Sequence, residues 1–230
     1  MEAQGLINEL AKHEIVLNER QIAQFQTYRE MLQEYSKIMN LTAILDTQEI
    51  YIKHFYDSLI PALFIDLHGD LLDVGAGAGF PSIPLKILNP NLNVTILEPN
   101  NKRVRFLTDL CQKLEINVKI VEQRAEDYIK ETTQRFDFTF ARAVANLPVL
   151  LELCLPFVKV DGYFIALKGQ KYQEELDESK NALNVLNATV SEIHTLELED
   201  AQRAILKIKK LKATHPKYPR NFGQIKKKPL

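Results

Sequence analysis

The chain has 230 residues, of which 46% are hydrophobic and 26% charged, and its formal net charge is −1. This length suits one large domain or a domain with an appended piece, and the composition excludes disordered, collagen-like and membrane-spanning proteins. Two cysteines, Cys111 and Cys154, are too few for a disulfide framework and belong to no Cys or His cluster, so we expect no metal site. The N-terminal residues lack the apolar stretch of a secretory signal, which predicts a cytoplasmic protein without a membrane partner.

The basic residues are concentrated near the C-terminus. Residues 207–228 contain nine Lys or Arg and no Asp or Glu, so the remaining chain holds 20 of the 29 basic and all 30 acidic residues. A basic segment beside an acidic body is typical of a protein with a polyanionic partner, and it is equally compatible with a solvated surface tail.

Residues 1–65 have the spacing of helices, which predicts a helical N-terminal extension. One helix carries an apolar and aromatic face formed by Phe25, Tyr28, Met31, Leu32 and Tyr35. Helical spacing of this kind is the signature of a buried face, so we expect core packing and not a platform for stacking bases. A second helix, around 50–63, places His54 and Asp57 three residues apart, where we expect a structural contact more than a catalytic pair.

Residues 66–212 alternate between short apolar runs and helical patterns. The runs predict strands at 71–74, 94–97, 118–121, 136–140 and 163–167. Because helices alternate with these strands, the pattern indicates a parallel doubly wound sheet. Two later runs, near 189–196 and 203–211, have no convincing helix between them and predict an antiparallel hairpin at one edge. The predicted fold is therefore α/β, a Rossmann-like doubly wound sheet of about seven strands.

Three glycines, Gly75, Gly77 and Gly79, follow the first strand within five residues, and Asp73 precedes them. In an open α/β sheet, ligands bind at the carboxyl ends of the strands, where glycines allow close approach of the backbone. A dinucleotide site requires G-x-G-x-x-G and places a pyrophosphate on the helix N-terminus. The spacing here is G-A-G-A-G-F, and the Asp73 carboxylate opposes a pyrophosphate but attracts an ammonium and a sulfonium. The pattern therefore favours S-adenosylmethionine as the cofactor.

Two further segments complete the predicted cofactor site. Glu98 ends the second strand, 19 residues after Gly79, where a carboxylate can accept hydrogen bonds from both ribose hydroxyls. After the third strand, Ala125 leaves room for the adenine ring, and Glu126 or a backbone group is placed to read its amine. An acidic helix N-terminus explains Glu126 equally well, because the helix dipole favours an acid there.

The end of the fourth strand bears on the methyl acceptor. Residues 138–143 contain no Asn-Pro-Pro-Tyr clamp for an exocyclic amine and no cysteine for attack on a pyrimidine ring. A ribose hydroxyl would need a Lys and Asp arrangement, and the chain offers Lys168 but has Arg142 in place of Asp. A ring nitrogen such as guanine N7 already presents a lone pair, so alignment alone can suffice.

No residue is predicted to be a catalytic acid or base, and three hypotheses about the function remain open. The first is a guanine-N7 methyltransferase acting on RNA. The second is a ribose 2′-oxygen or small-molecule methyltransferase. The third is a non-catalytic RNA-binding assembly factor that keeps the cofactor pocket only for folding.

Several segments also carry a family resemblance. They are 54–59 (HFYDSL), 73–81 (DVGAGAGFP), 102–107 (KRVRFL), 124–126 (RAE), 141–145 (ARAVA) and 218–220 (YPR). They closely resemble the ribosomal RNA small subunit methyltransferase G family, also called glucose-inhibited division protein B. The resemblance covers the chain from about residue 35 to residue 230.

The resemblance implies a sheet of the class I methyltransferase type that uses S-adenosylmethionine to methylate guanine N7 in the 530 loop of 16S ribosomal RNA. It implies that Gly75 and Phe80 line the cofactor and that Arg142 also touches it. It assigns the adenine end of the cofactor to Ala125 and Glu126.

The implied partner is 16S ribosomal RNA or a small-subunit assembly particle. We predict RNA contacts at the end of the fifth strand and in a basic C-terminal tail, residues 213–230. The residues of this predicted RNA-binding set are Lys168, Lys217, Arg220, Lys226, Lys227 and Lys228.

Overall fold

The computed structural model describes residues 3–230 and is built on a seven-stranded sheet. The strands are β1 (Asp70–Val74), β2 (Asn93–Leu97), β3 (Val118–Val121), β4 (Phe136–Arg142), β5 (Val158–Lys168), β6 (Ala188–Leu198) and β7 (Ala201–Lys210). They lie in the order β3-β2-β1-β4-β5-β7-β6. The first five are parallel, and β7 runs antiparallel to both β5 and β6. The predicted doubly wound sheet and its edge hairpin are confirmed.

Eleven α-helices lie within residues 3–230, and none is long and apolar enough to cross a membrane. The N-terminal helices are α1 (Ala3–Ala11), α2 (Glu19–Met39), the single turn α3 (Thr47–Glu49) and α4 (Asp57–Phe64), with a π-helical segment, Ile50–Tyr56, before α4. The later helices are α5 (Ser82–Leu88), α6 (Asn101–Lys113), α7 (Ala125–Glu131), α8 (Leu147–Cys154), α9 (Tyr172–Glu178), α10 (Lys180–Val185) and α11 (Phe222–Lys227). A 3₁₀ turn, Leu155–Phe157, extends α8.

The sheet separates two apolar cores, because successive side chains of a strand point to opposite faces. Leu71 belongs to the core that α1, α2, α4, α5 and α6 cover. Its neighbour Leu72 belongs to the core that α8 covers. The N-terminal helices therefore share one core with the helices that follow β1 and β2.

The apolar face of α2 is buried, as its spacing predicts. Phe25, Tyr28 and Leu32 are at most 1% exposed. An Asn18 capping box, in which Gln21 returns the hydrogen bond, starts the helix. The Tyr28 hydroxyl donates to the Ala78 carbonyl at 2.6 Å, so α2 also supports the glycine turn after β1.

Three predicted elements differ in detail. The strand β5 begins at Val158, five residues before the predicted strand at 163–167. The second N-terminal helix begins as the π-helical segment and becomes α-helical only at Asp57. The helical spacing after β5 is divided at Ser179 into α9 and α10. The Ser179 hydroxyl donates to the Glu175 carbonyl at 2.6 Å, a local bond that competes with regular helix continuation.

The basic C-terminal residues fold back onto α8. Ile225 of α11 is fully buried in the core around α8. The Arg220 guanidinium donates to both carboxylate oxygens of Glu152 at 2.8 and 2.6 Å, and Glu152 is 0% exposed. Arg220 therefore serves as the counter-ion of a buried carboxylate, whereas Lys226, Lys227 and Lys228 remain exposed.

We expect Arg220→Ala to lower the free energy of unfolding by about 3 kcal/mol, because it leaves the buried Glu152 carboxylate without a counter-ion. Urea denaturation measures this change. The control is Lys226→Ala, which removes an exposed charge from the same segment and should change stability by less than about 0.5 kcal/mol. Glu152→Gln added to Arg220→Ala should recover part of the loss. A wild-type midpoint for Arg220→Ala would contradict the role assigned to this pair.

Candidate cofactor and substrate site

The glycine turn after β1 forms an open cradle at the carboxyl edge of the sheet. Gly75, Gly77 and Gly79 all have positive φ, at 74°, 61° and 102°, which side chains rarely adopt. A Cβ on Gly79 would lie 2.7 Å from Ile83 and 2.8 Å from the Tyr28 hydroxyl, so this glycine permits close packing. A Cβ on Gly77 would meet no atom within 4 Å. The space beside Gly77 is therefore open, and its occupation by a cofactor stays a prediction.

Glu98 directly follows β2, and its carboxylate accepts hydrogen bonds from backbone N–H groups of the glycine turn and of the loop before α6. Its Oε2 accepts from the Gly77 backbone N–H at 2.9 Å, and its Oε1 accepts from the Asn100 N–H at 3.0 Å. Asn100 in turn caps α6, since its side chain accepts from the N–H groups of Lys102 and Arg103. Each carboxylate oxygen has a second lone pair, so Glu98 can hold the turn and still accept from a ligand hydroxyl.

Asp73 lies beneath the turn and is 0% exposed. Its Oδ2 accepts from the Ser82 backbone N–H at 3.1 Å, at the start of α5. Its Oδ1 is buried and has no hydrogen-bond partner among residues 3–230. Burial raises the pKa of Asp73 to about 7, against the lowering effects of Ser82 and Arg142. An unsatisfied buried acceptor of this kind suits the cationic end of an amino-acid ligand.

Ala125 and Glu126 begin α7, directly beyond β3. They are 5% and 6% exposed. The Glu126 side chain makes no hydrogen bond or ion pair with any residue in the part of the chain that the structure describes. Both residues thus lie at the carboxyl edge of the sheet, as predicted, and their contact with a cofactor stays a prediction.

Arg142 ends β4 and contacts several groups of the N-terminal helices. Its Nη1 donates to Asp57 Oδ2 at 2.8 Å, and its guanidinium lies 4.9 Å from the centre of the Phe80 ring. The Phe80 ring also stacks on His54, with 4.5 Å between ring centres. Arg203, on β7, donates to the other oxygen of Asp57 at 2.7 Å. One buried carboxylate therefore positions two guanidinium groups.

His54 is held as a neutral imidazole. Burial, followed by the Arg142 charge, lowers its pKa to about 4. Its Nδ1 lies 3.4 Å from Arg142 Nη2, and since arginine only donates, Nδ1 is the acceptor. Nε2 then carries the hydrogen and donates to the Thr42 hydroxyl at 2.8 Å. The lone pair of His54 is thus directed at Arg142.

A cavity of about 390 Å³ opens beside this network. The charged groups that line it are Lys53, Asp57, Arg142, Lys168, Glu175 and Arg203. Four of these are cationic and two are anionic, and Lys53 also pairs with Glu49 and Glu199 outside the lining. Lys168 reaches the cavity from the end of β5 and pairs with Glu175 at 2.6 Å. The cavity therefore offers guanidinium and ammonium donors to a substrate that can accept hydrogen bonds.

The structure brings together part of the predicted site. The cofactor residues Gly75, Gly77, Phe80, Glu98, Ala125, Glu126 and Arg142 lie at or beside the carboxyl ends of β1 to β4. Of the predicted RNA-binding set, only Lys168 lines the cavity beside Arg142. The other members, Lys217, Arg220, Lys226, Lys227 and Lys228, belong to the C-terminal segment.

Sequence reasoning missed how Asp57 is used. His54 and Asp57 each contact Arg142, and neither donates directly to the other. The second partner, Arg203, lies 146 positions away in the chain, so no local spacing indicates this pairing. No local pattern marks Arg203 as a residue of this site.

The fold is a doubly wound, Rossmann-like sheet of the class I methyltransferase type. The sheet resembles that of M. jannaschii TYW2 in complex with AdoMet, with a TM-score of 0.57, 14% identity and coverage of 74% of this chain and 80% of that one. It also resembles precorrin-6y C5,15-methyltransferase from Geobacter metallireducens, with a TM-score of 0.53, 19% identity and coverage of 66% and 86%.

Sequence comparison narrows the class to one family. A family model described as GidB, rRNA small subunit methyltransferase G, matches residues 21–206. Proteins named ribosomal RNA small subunit methyltransferase G are 45% identical in Staphylococcus carnosus, covering 100% of this chain and 99% of the relative, and 48% identical in Lactobacillus johnsonii, covering 96% and 97%. The chain belongs to the rRNA small subunit methyltransferase G family and is a methyltransferase.

The raised pKa of Asp73 predicts that the free energy of unfolding of the ligand-free protein depends on pH. The folded state holds this proton up to about pH 7, whereas an unfolded Asp loses it near pH 3.8. The stabilising contribution is therefore complete below pH 3.8 and is lost as the pH rises through 7. Asp73→Asn removes this dependence.

We expect the stability of the wild type relative to Asp73→Asn to fall by several kcal/mol between pH 4 and pH 8, since one pKa unit corresponds to about 1.4 kcal/mol. Urea denaturation at several pH values measures this difference, and other titrating groups cancel in the comparison. A difference that is constant with pH would contradict the assignment.

Proposed function

We propose that this protein transfers a methyl group from S-adenosylmethionine to N7 of a guanine in the 530 loop of 16S ribosomal RNA. The substrate is the RNA itself or a small-subunit assembly particle in the cytoplasm. The observation that carries the proposal is the open cradle at Gly77, bounded by Glu98 and underlain by the unsatisfied Asp73 carboxylate. Full-length relatives named for methylation of small-subunit ribosomal RNA support the choice of substrate.

The cofactor is held by residues at the carboxyl ends of β1 to β3. Gly75 and Gly77 present the backbone to the ligand, Phe80 supports the turn, and Glu98 accepts from the ribose. Ala125 and Glu126 hold the adenine, and Asp73 supplies charge for the ammonium end. When bound, S-adenosylmethionine supplies a methyl group activated by a positively charged sulfur.

The acceptor guanine lies in the cavity beside Arg142. The groups that could act there as a base are already engaged: the lone pair of His54 faces Arg142, and the carboxylate of Asp57 binds two arginines. The Glu175 carboxylate pairs with Lys168 and accepts from the Leu147 backbone N–H. N7 of guanine bears a lone pair and no proton, so its methylation requires no base. The cavity residues then act by orienting the guanine and by excluding water.

Phosphates of the RNA contact Lys168 within this cavity and the exposed Lys226, Lys227 and Lys228 of the C-terminal segment. Arg220 is bound to Glu152, so its contribution to RNA affinity is smaller than its charge suggests. Removing the whole tail would also remove Arg220, the counter-ion of the buried Glu152. Single substitutions at the exposed lysines therefore test the RNA contact more directly.

We expect Gly77→Val to weaken binding of S-adenosylhomocysteine at least about tenfold, because the branched side chain fills the cradle. Isothermal titration calorimetry measures the affinity. The control is Glu14→Val, which places a valine at the same φ of 61° in an exposed turn. Unchanged affinity in folded Gly77→Val protein would place the cofactor elsewhere.

Incubation with small-subunit ribosomal RNA and labelled cofactor should produce 7-methylguanosine at one position. Reduction followed by aniline cleaves RNA at this nucleoside, and the fragment end identifies the site. Nucleoside mass spectrometry identifies the methylated atom independently. A methyl group on a ribose would favour the 2′-oxygen alternative. No transfer despite cofactor and RNA binding would favour the assembly factor.

A further inference from the structure

A second cavity, of about 460 Å³, lies at the opposite edge of the sheet from the candidate cofactor site. Val158 and Lys159, which begin β5, line it, and Arg135 directly precedes β4. Lys210, at the end of the antiparallel β7, reaches the same edge. The cofactor residues follow the carboxyl ends of the parallel strands, so the two sites are separated by the length of the sheet.

The side chains that line this second cavity are strongly cationic. Five of them are basic and none is acidic: Lys130, Arg135, Lys159, Lys210 and Lys217. Lys130 pairs with Asp127, and Lys159 pairs with Asp70 and Asp137 outside the lining. Arg135, Lys210 and Lys217 have no carboxylate partner within residues 3–230. The cavity therefore carries uncompensated positive charge.

Lys210 is unusual because it is 1% exposed and still lacks a counter-ion. Its ammonium donates to the Leu155 carbonyl at 2.7 Å and to the Thr214 hydroxyl. Burial, followed by the nearby Arg135 charge, lowers its pKa to about 8. Arg135 itself donates only to the backbone carbonyls of Thr132 and Gln134. Two neighbouring cations with neutral partners leave a favourable place for an anion.

We propose that this second cavity binds a phosphate group through Arg135, Lys210 and Lys217. Phosphate matches the donor set, because guanidinium and ammonium groups make charge-assisted hydrogen bonds to its several oxygens. The source is either a free phosphate compound or a phosphate of bound RNA. The RNA source rests on the proposed function, whereas binding of free phosphate does not.

The test is an NMR titration of the full chain that follows the backbone amides of Arg135, Lys210 and Lys217. One arm adds sodium phosphate against sodium chloride at equal ionic strength, and the other adds a synthetic RNA of the 530 loop. The variant is Arg135→Gln with Lys217→Gln, which leaves the buried Lys210 in place. The control, Lys37→Gln with Lys113→Gln, removes the same charge from exposed positions outside the cavity.

We expect saturable shifts at the cavity in the wild type and the control, and at least tenfold weaker binding in the variant. Shifts caused by phosphate identify a free phosphate site. Shifts caused by RNA alone identify an RNA contact, for which the slope of log affinity against log salt should become shallower by about 1.4 if two phosphates are lost. Absence of saturable shifts in both arms, or equal affinity in variant and control, would overturn the proposal. Because no arm measures methyl transfer, the result is independent of the proposed reaction.

Discussion

The carboxylate of Asp57 binds two guanidinium groups, and this pairing ties together three distant parts of the chain. Asp57 begins α4, Arg142 ends β4, and Arg203 lies in the edge hairpin. A buried carboxylate without partners would be costly, so both arginines are needed to keep it where the helices meet the sheet. Their position in turn fixes one wall of the cavity beside Arg142. The N-terminal helices therefore line this cavity as well as the core.

The glycines of the turn after β1 are needed for different physical reasons. Gly79 is required by Tyr28 and Ile83, which press against it from the N-terminal helices and α5. Gly77 faces open space, and its positive φ favours glycine there. Glu98 stabilises the open side of the turn, because its carboxylate accepts from the Gly77 backbone N–H. The packing at Gly79 and the hydrogen bond at Gly77 therefore fix the turn together.

Much of the fold could be predicted because its signals are local. The strands β1 to β4 begin within one residue of the apolar runs, and the absence of a helix before β7 indicated the hairpin. The glycine turn and Glu98 could be predicted since their spacing follows from the strand ends. The bond between Asp57 and Arg203 could not, because it joins residues 146 positions apart. The π-helical segment also has no periodic signature of its own.

Charge composition was the least specific signal, since a count does not show where a charge points. The basic run at 207–228 contains several kinds of residue in the folded chain, and Lys207 and Lys209 pair with Glu192 and Asp161. Arg220 neutralises a buried carboxylate, Lys210 is buried without one, and Lys226 is exposed. Only the exposed group resembles a solvated tail. A cation bound to a buried carboxylate stabilises the fold by neutralising that carboxylate. A buried cation that faces a cavity without a counter-ion still attracts an anion. The functional content of a basic segment therefore depends on which of its charges the fold leaves unpaired.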